Sequence, residues 1–123
     1  MKEIIAVIRP KKVNDTKKVL DQLGFPGLTA IPVLGRGKQK GLVGEINIEF
    51  RPGILGNPKS GGMKYIPKRM LSIVVPDSAV DSVIAAIVKV NQTDQIGDGK
   101  IFICPLDNAV RVRTDETGDS ALL

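Results

Sequence analysis

Two short runs rich in β-branched residues, Glu3–Pro10 and Arg69–Pro76, each end in proline and each lead into a polar opening followed by a helical pattern. A β-branched run closed by proline reads as a largely buried strand. The branched side chains suit a covered, pleated surface, and proline has no N–H with which to continue a ladder. Aligned on their prolines, the runs imply two similar units. In a chain of 123 residues this leaves little room for anything else. A chain of that length hides roughly two-thirds of its unfolded surface, enough for one core. The expectation is a single domain over residues 1–123.

After Pro76, Asp77 or Ser78 can cap a helix. Val80, Val83, Ile84, Ile87 and Val88 then follow the i, i+3, i+4, i+7, i+8 spacing of one apolar face. After Pro10, a helix from about Val13 to Leu23 places Val13, Leu20 and Leu23 on one side and Lys17, Lys18 and Asp21 elsewhere, with Gly24 as its stop. Each helix is followed by a strand candidate, Leu28–Leu34 and Lys100–Cys104. The order β-α-β, long connection, β-α-β predicts an α+β, ferredoxin-like double βαβ. Its four-stranded antiparallel sheet would carry both helices on one face. A last strand, Ala109–Arg113, is expected at a sheet edge.

The connection between the second and third strands, from Gly35 to Arg69, carries eight of the chain's 13 glycines. A connection this long in a compact domain is expected to be functional. Within it Glu45–Phe50 alternates as a strand does, so a hairpin stem is expected there, with Pro52–Gly62 as its tip. Charge is concentrated in the same place. Residues 36–69 hold eight of the 18 lysines and arginines but only two of the 13 acids, a net +6, while the rest of the chain sums to −1. A basic segment in a near-neutral body reads as a docking element for something anionic, or as a solvated loop.

There is no histidine. That excludes imidazole acid–base work, Ser-His and Cys-His nucleophile pairs and His-based zinc sites. The one cysteine, Cys104, sits in the apolar run Ile101–Cys104 and is expected to be a small buried thiol in a reducing, cytoplasmic setting. No apolar stretch approaches the roughly 18 residues of a spanning helix, and Lys2-Glu3 opens the chain without a signal-peptide core, so no membrane insertion is expected.

Three constellations could hold a ligand. Gly35-Arg36-Gly37-Lys38-Gln39-Lys40-Gly41, at a strand end, combines close backbone approach with cations, although it lacks Walker spacing and also reads as a simple basic turn. Ile96-Gly97-Asp98-Gly99-Lys100 is a tight turn, or a turn able to hold a phosphate chain. In Arg111-Val112-Arg113, an extended backbone would aim both guanidiniums to one face, with Val112 inward, where paired forks suit phosphate oxygens. Nothing among them forms an aligned nucleophile, general base or carboxylate pair, so they suggest a nucleotide holder and not an ATP-hydrolysing enzyme. With only Phe25, Phe50, Tyr65 and Phe102 as aromatics, an RNA-binding ferredoxin-like sheet has almost nothing on which to stack bases, and no nucleic-acid partner is expected.

Thr93-Asp94-Gln95-Ile96-Gly97-Asp98-Gly99-Lys100-Ile101-Phe102-Ile103 resembles the C-terminal signature of the PII signal-transduction proteins, the nitrogen regulatory family. Ile8-Arg9-Pro10, Gly27-Leu28-Thr29, Gly35–Gly41, Pro67-Lys68, Val74–Asp77 and Arg111-Val112-Arg113-Thr114 extend the resemblance over nearly the whole chain. It implies a trimeric assembly of ferredoxin-like subunits, with ATP or ADP in each inter-subunit cleft. By position the cleft would be lined by Gly27, Thr29, Gly35, Gly37, Lys38, Val74, Gly97, Asp98, Gly99, Lys100, Arg111 and Arg113, with Lys40, Gly41 and Ile96 alongside. The resemblance further implies that Mg²⁺ is chelated by ATP, 2-oxoglutarate and the side-chain oxygen of Gln39, and that Lys68 pairs with the distal carboxylate of 2-oxoglutarate. Residues 36–69 would be the regulatory loop, tied at both ends to ligand.

The chain departs from the commonest form of the family. No tyrosine stands in the loop's modifiable Tyr-Arg-Gly context, Tyr65 does not align with it, and the loop is longer than usual. Its ending, Gly61–Arg69, is similar to PII-like proteins encoded beside nitrogenase, which work as pairs of different subunits and switch nitrogenase off until 2-oxoglutarate accumulates. The implied role is an enzyme regulator acting on nitrogenase, as a trimer or a hetero-oligomer with a second PII-like subunit. The alternatives are control of an ammonium transporter or of glutamine synthetase.

Overall fold

A computed structural model describes residues 1–37 and 65–123. Strand β1 (Lys2–Ile8) leads through a 3-10 turn (Pro10–Lys12) into helix α1 (Val13–Gln22), and strand β2 (Thr29–Gly35) follows. Strand β3 (Ile66–Val75) leads through a 3-10 turn (Asp77–Ala79) into helix α2 (Val80–Asn91), and strand β4 (Lys100–Pro105) follows. A 3-10 segment, Gly118–Leu122, lies near the end of the chain. The four strands form one sheet in the order β2-β3-β1-β4, every neighbouring pair antiparallel. This is the expected ferredoxin-like α+β arrangement.

The core lies between one face of the sheet and the helices. Ile4, Ala6 and Ile8 of β1 and Leu71, Ile73 and Val75 of β3 alternate inward, against Leu20 of α1 and Val83 and Ile87 of α2. Covering a side chain of this size contributes about 1.5–3 kcal/mol, so these strands and helices are stable only together. The two units do repeat, but one residue out from the alignment of their prolines. Ile4, Ala6 and Ile8 correspond to Leu71, Ile73 and Val75, and Arg9 to Pro76, because α1 begins at Val13 and α2 at Val80. With a side-chain period of two, matching Pro10 to Pro76 would have put Ile5 and Val7 in the core.

Helix α1 ends as the sequence predicts. Gly24 takes φ 92°, its N–H donates to Asp21 O at 3.0 Å, and the Phe25 N–H reaches back to Leu20 O at 2.9 Å, a Schellman closure. Its inner face differs from the expectation. Leu23 is exposed and Thr16 is fully buried, its hydroxyl donating to Lys12 O at 2.7 Å and accepting from Asn91 Nδ2 at 3.0 Å. Asp77 and Ser78 do not cap α2. They belong to the 3-10 turn ahead of it, and the Asp77 carboxylate meets the Met1 amine at 3.0 Å and Lys2 Nζ at 3.6 Å.

Two further expectations are corrected. Ala109–Arg113 is not a sheet-edge strand. Only an isolated bridge joins Val110 to Thr117, around a turn in which Asp115 takes φ 60°. Val112 accordingly faces outward, 95% exposed. Cys104 is half-buried, because it lies on the sheet face that neither helix covers. The Glu45–Phe50 stem and the Pro52–Gly62 tip lie outside the described residues.

Candidate functional site

All four strands bring one end to the same side of the sheet: Ile8 of β1, Gly35 of β2, Ile66 of β3 and Lys100 of β4. There an open cleft of roughly 280 Å³ is lined by Gly35, Gly37, Lys68, Gly97, Gly99 and Lys100, with Val7, Arg36, Ile66 and Ile96 completing the wall. The structure therefore joins the glycines that end β2 with the turn that begins β4, although these are far apart in sequence. Lys38, Gln39, Lys40 and Gly41 lie outside the described residues. At the root of the connection the Arg36 guanidinium sits 5.8 Å from the centre of the Tyr65 ring, a cation–π contact just beyond the Gly35–Ile66 pair.

The turn 96–100 is held from below. Gly97 and Gly99 take φ 99° and 120°, and a Cβ on Gly99 would stand 2.1 Å from Val7 O, so only glycine lets the turn lie against β1. Lys68, buried at 7% exposure, donates from Nζ to Gly97 O at 2.7 Å. Arg9, 4% exposed, donates from Nη2 to Ile96 O at 3.0 Å and from Nη1 to Asp98 Oδ1 at 2.6 Å.

Asp98 is turned into the protein and away from the cleft wall. Besides Arg9, its carboxylate accepts from Thr93 N at 2.6 Å and Asp94 N at 3.0 Å, and the Thr93 hydroxyl donates to Oδ1. Burial by itself pushes this carboxyl up. The bonds from Thr93 and Arg9, together with the Arg9 charge, outweigh that and hold it well below the ordinary carboxylate range.

The remaining candidates fall elsewhere. Thr29 begins β2, with Gly27 just ahead of it, and Val74 is near the end of β3, so all three sit at the opposite end of the sheet. The chain leaves β4 at that same far end, where Leu106 N donates to Met1 O at 3.2 Å, and Arg111 and Arg113 lie in the segment beyond it. From the Val7–Lys100 pair to the Lys2–Pro105 pair is five strand steps, roughly 17 Å. The extended backbone expected at Arg111-Val112-Arg113 is absent, because residues 112–114 form a turn. Arg111 Nη1 meets Glu116 Oε1 at 2.8 Å and Nη2 donates to Ser120 O at 3.2 Å and to Leu123 O, while Arg113 is exposed.

Sequence reasoning noted Arg9 only as part of a motif and gave Thr93 no role. Both lie in stretches legible as strand end and turn, but nothing local announces that they meet at Asp98.

The family profile described as Nitrogen regulatory protein P-II matches residues 1–116. The chain belongs to the P-II family. P-II proteins are regulatory signal proteins, and relatives bear this out in their names. The chain is 57% identical over 123 residues, the full length of both, to "Nitrogen fixation nifHD region GlnB-like protein 2" of Methanobacterium ivanovii. It is 57% identical over 122 residues, 99% of each chain, to "Nitrogen fixation nifHD1 region GlnB-like protein 2" of Methanosarcina barkeri. To "Nitrogen regulatory protein P-II 2" of Methanothermobacter thermautotrophicus it is 43% identical over 122 residues, covering 99% of this chain and 97% of that one. The likeness to nif-region relatives places this P-II chain in the nitrogen-fixation-associated subgroup. Among the described residues no helix is long and apolar enough to cross a membrane.

Proposed function

We propose that this P-II chain senses ATP, ADP and 2-oxoglutarate in clefts completed by neighbouring copies, and passes the reading through residues 36–69 to a nitrogen-metabolism target, nitrogenase. The observation that carries the reading is the division of the candidate site. One end of the sheet offers a glycine-lined cleft with Lys68 and Lys100, and the other offers Gly27, Thr29 and Val74. A single chain cannot close both around one ligand, but the near end of one copy against the far end of another can.

A trimer fits the uncovered sheet face as well. Val7, Ile5, Phe102, Met70 and Ile31 lie on it, with Phe102 48% exposed and Ile31 42% exposed. A contiguous apolar face of this kind marks a surface for association.

The cleft suits a polyphosphate on its own chemistry. Glycines at 35, 37, 97 and 99 allow close approach, and Lys100 stands exposed at the exit of the turn as a counter-charge. Among the described residues no group of three or more carboxylates, cysteines or histidines could hold a metal ion. Mg²⁺ would be held by the ligands' own oxygens and by Gln39, which lies outside the described residues. Bound Mg²⁺ would supply charge neutralisation between phosphate and 2-oxoglutarate.

In this reading Lys68 links the two halves of the signal. It lies near the start of β3, two residues after Ile66, and is bonded to the turn at Gly97, so an anion that draws its ammonium changes both together. The names of the nif-region relatives favour nitrogenase over an ammonium transporter or glutamine synthetase as the target.

Calorimetric titration tests the sensor. ATP binding, and 2-oxoglutarate binding that requires MgATP, are expected; absence of either sinks the proposal. Capture of nitrogenase from a nitrogen-fixing extract, released by 2-oxoglutarate with MgATP, tests the target.

A further inference from the structure

The turn 96–100 owes its conformation to a residue that is not part of the cleft wall. Arg9 follows directly on β1, is almost fully buried, and reaches the turn from behind. We propose that Arg9 is a positioning residue for anion binding: it does not meet the ligand, and it fixes the backbone amides that do. This rests on the reading of the turn as the phosphate-receiving part of the cleft.

In a trans peptide the carbonyl of one residue and the N–H of the next point in opposite directions. Arg9 Nη2 holds Ile96 O at 3.0 Å and Lys68 Nζ holds Gly97 O at 2.7 Å. The N–H of Gly97 is therefore turned away from Arg9, which lies behind the turn, while Gly97 O turns toward Lys68 in the cleft wall. A backbone N–H presented by a glycine turn beside a lysine is a donor for an anion.

The second step concerns charge. A carboxylate in the middle of a phosphate-binding turn would repel its ligand. Asp98 escapes this because its oxygens are occupied, by the buried Arg9 Nη1 at 2.6 Å and by the amides of Thr93 and Asp94 and the Thr93 hydroxyl. Arg9 thus orients the turn through Ile96 O and cancels the acid within it. A lysine has the charge but not the planar fork needed to hold a carbonyl and a carboxylate together.

The test is titration of the full chain with MgATP, wild type beside Arg9→Lys, Thr93→Val, and Arg9→Gln alone and combined with Asp98→Asn. Arg9→Lys is expected to weaken ATP about tenfold, the scale of one charge-assisted hydrogen bond. Arg9→Gln leaves the Asp98 charge unpaired and weakens it further; Asp98→Asn in the same chain restores an amide pair and part of the affinity, a rescue that a merely structural arginine would not give. Thr93→Val removes the other side-chain donor to Asp98 and is expected to weaken ATP with a smaller fall in the unfolding midpoint than Arg9→Lys, so it tests the pairing of Asp98 even where Arg9→Lys does not fold. Wild-type binding of ATP with unchanged affinity in both Arg9→Lys and Thr93→Val overturns this inference alone. Absence of ATP binding in the wild type overturns the parent reading and this one with it.

Discussion

The Arg9 guanidinium and the Asp98 carboxylate, 89 positions apart in the chain, meet at 2.6 Å beneath the turn that opens β4. The pair ties the end of the first strand to the start of the last, and the candidate cleft is assembled around that tie. Two glycines allow the approach and two buried cations hold it.

Gly99→Ala should abolish the turn's seat on β1. The added methyl would stand 2.1 Å from Val7 O on a backbone at φ 120°, and backbone cannot yield as a side-chain tip can. A loss of about 3 kcal/mol or more in urea unfolding is expected, with loss of ATP binding. An unchanged midpoint would show that the turn does not rest on β1.

Lys68→Ala and Gln39→Ala should each weaken 2-oxoglutarate binding more than ADP binding, because these groups are assigned to the metabolite half of the site. Lys68→Ala should also cost about 1–3 kcal/mol in stability, since Gly97 O loses its buried donor. Equal losses for both ligands in calorimetry would refute the assignment.

Acid should loosen the cleft before it unfolds the core. The folded Asp98 carboxyl lies below its ordinary value of 3.8. A group lowered in the folded state contributes stability that is fully present above the unfolded value and lost as the pH falls toward the folded one. Stability should therefore drop as pH falls through 4 and below, and Asp98→Asn should flatten that part of the profile. Chemical denaturation at a series of pH values measures it.

Thr16→Val should destabilise the helix pair while leaving ligand affinities unchanged. The hydroxyl is the acceptor for Asn91 Nδ2 at 3.0 Å and donates to Lys12 O at 2.7 Å, and a methyl can do neither. A cost of about 1–2 kcal/mol is expected in urea unfolding. Asn91 Nδ2 keeps its bond to Ile87 O at 2.9 Å, which limits the loss.

Phe102→Glu should break self-association. The ring lies on the uncovered sheet face opposite Ile5, and a carboxylate there opposes burial against a second copy. Sedimentation of the variant as a monomer, with retained circular dichroism, is the expected result; an unchanged oligomer would place the contact elsewhere.

Much of the fold was legible because its signals are local. The β-branched runs became β1 and β3, the apolar spacing of residues 80–88 became α2, and Gly24 ended α1 by the motif that a glycine after a helix predicts. Failures arose where a neighbour distant in sequence overrode a local preference. Arg111-Val112-Arg113 has the alternation of a strand, but it joins neither edge of the sheet; the chain turns back there and Arg111 engages Glu116. Asp77 has the chemistry of a helix cap, yet it lies beside the Met1 amine and Lys2 and pairs with them.

By itself, the sequence determined the four core strands, the two helices and the glycine that ends α1, because those depend on side-chain period and on sterics within a few residues. It also determined the family, through motifs spread over the whole chain. Only the tertiary structure decided that Gly35, Lys68 and the turn 96–100 share one end of the sheet while Thr29 and Val74 lie toward the other, and that Asp98 faces Arg9 and does not line that cleft. Those outcomes depend on strand order and register, which are fixed when separate segments bury their apolar faces against each other, and no pattern within one segment records where its partner will lie.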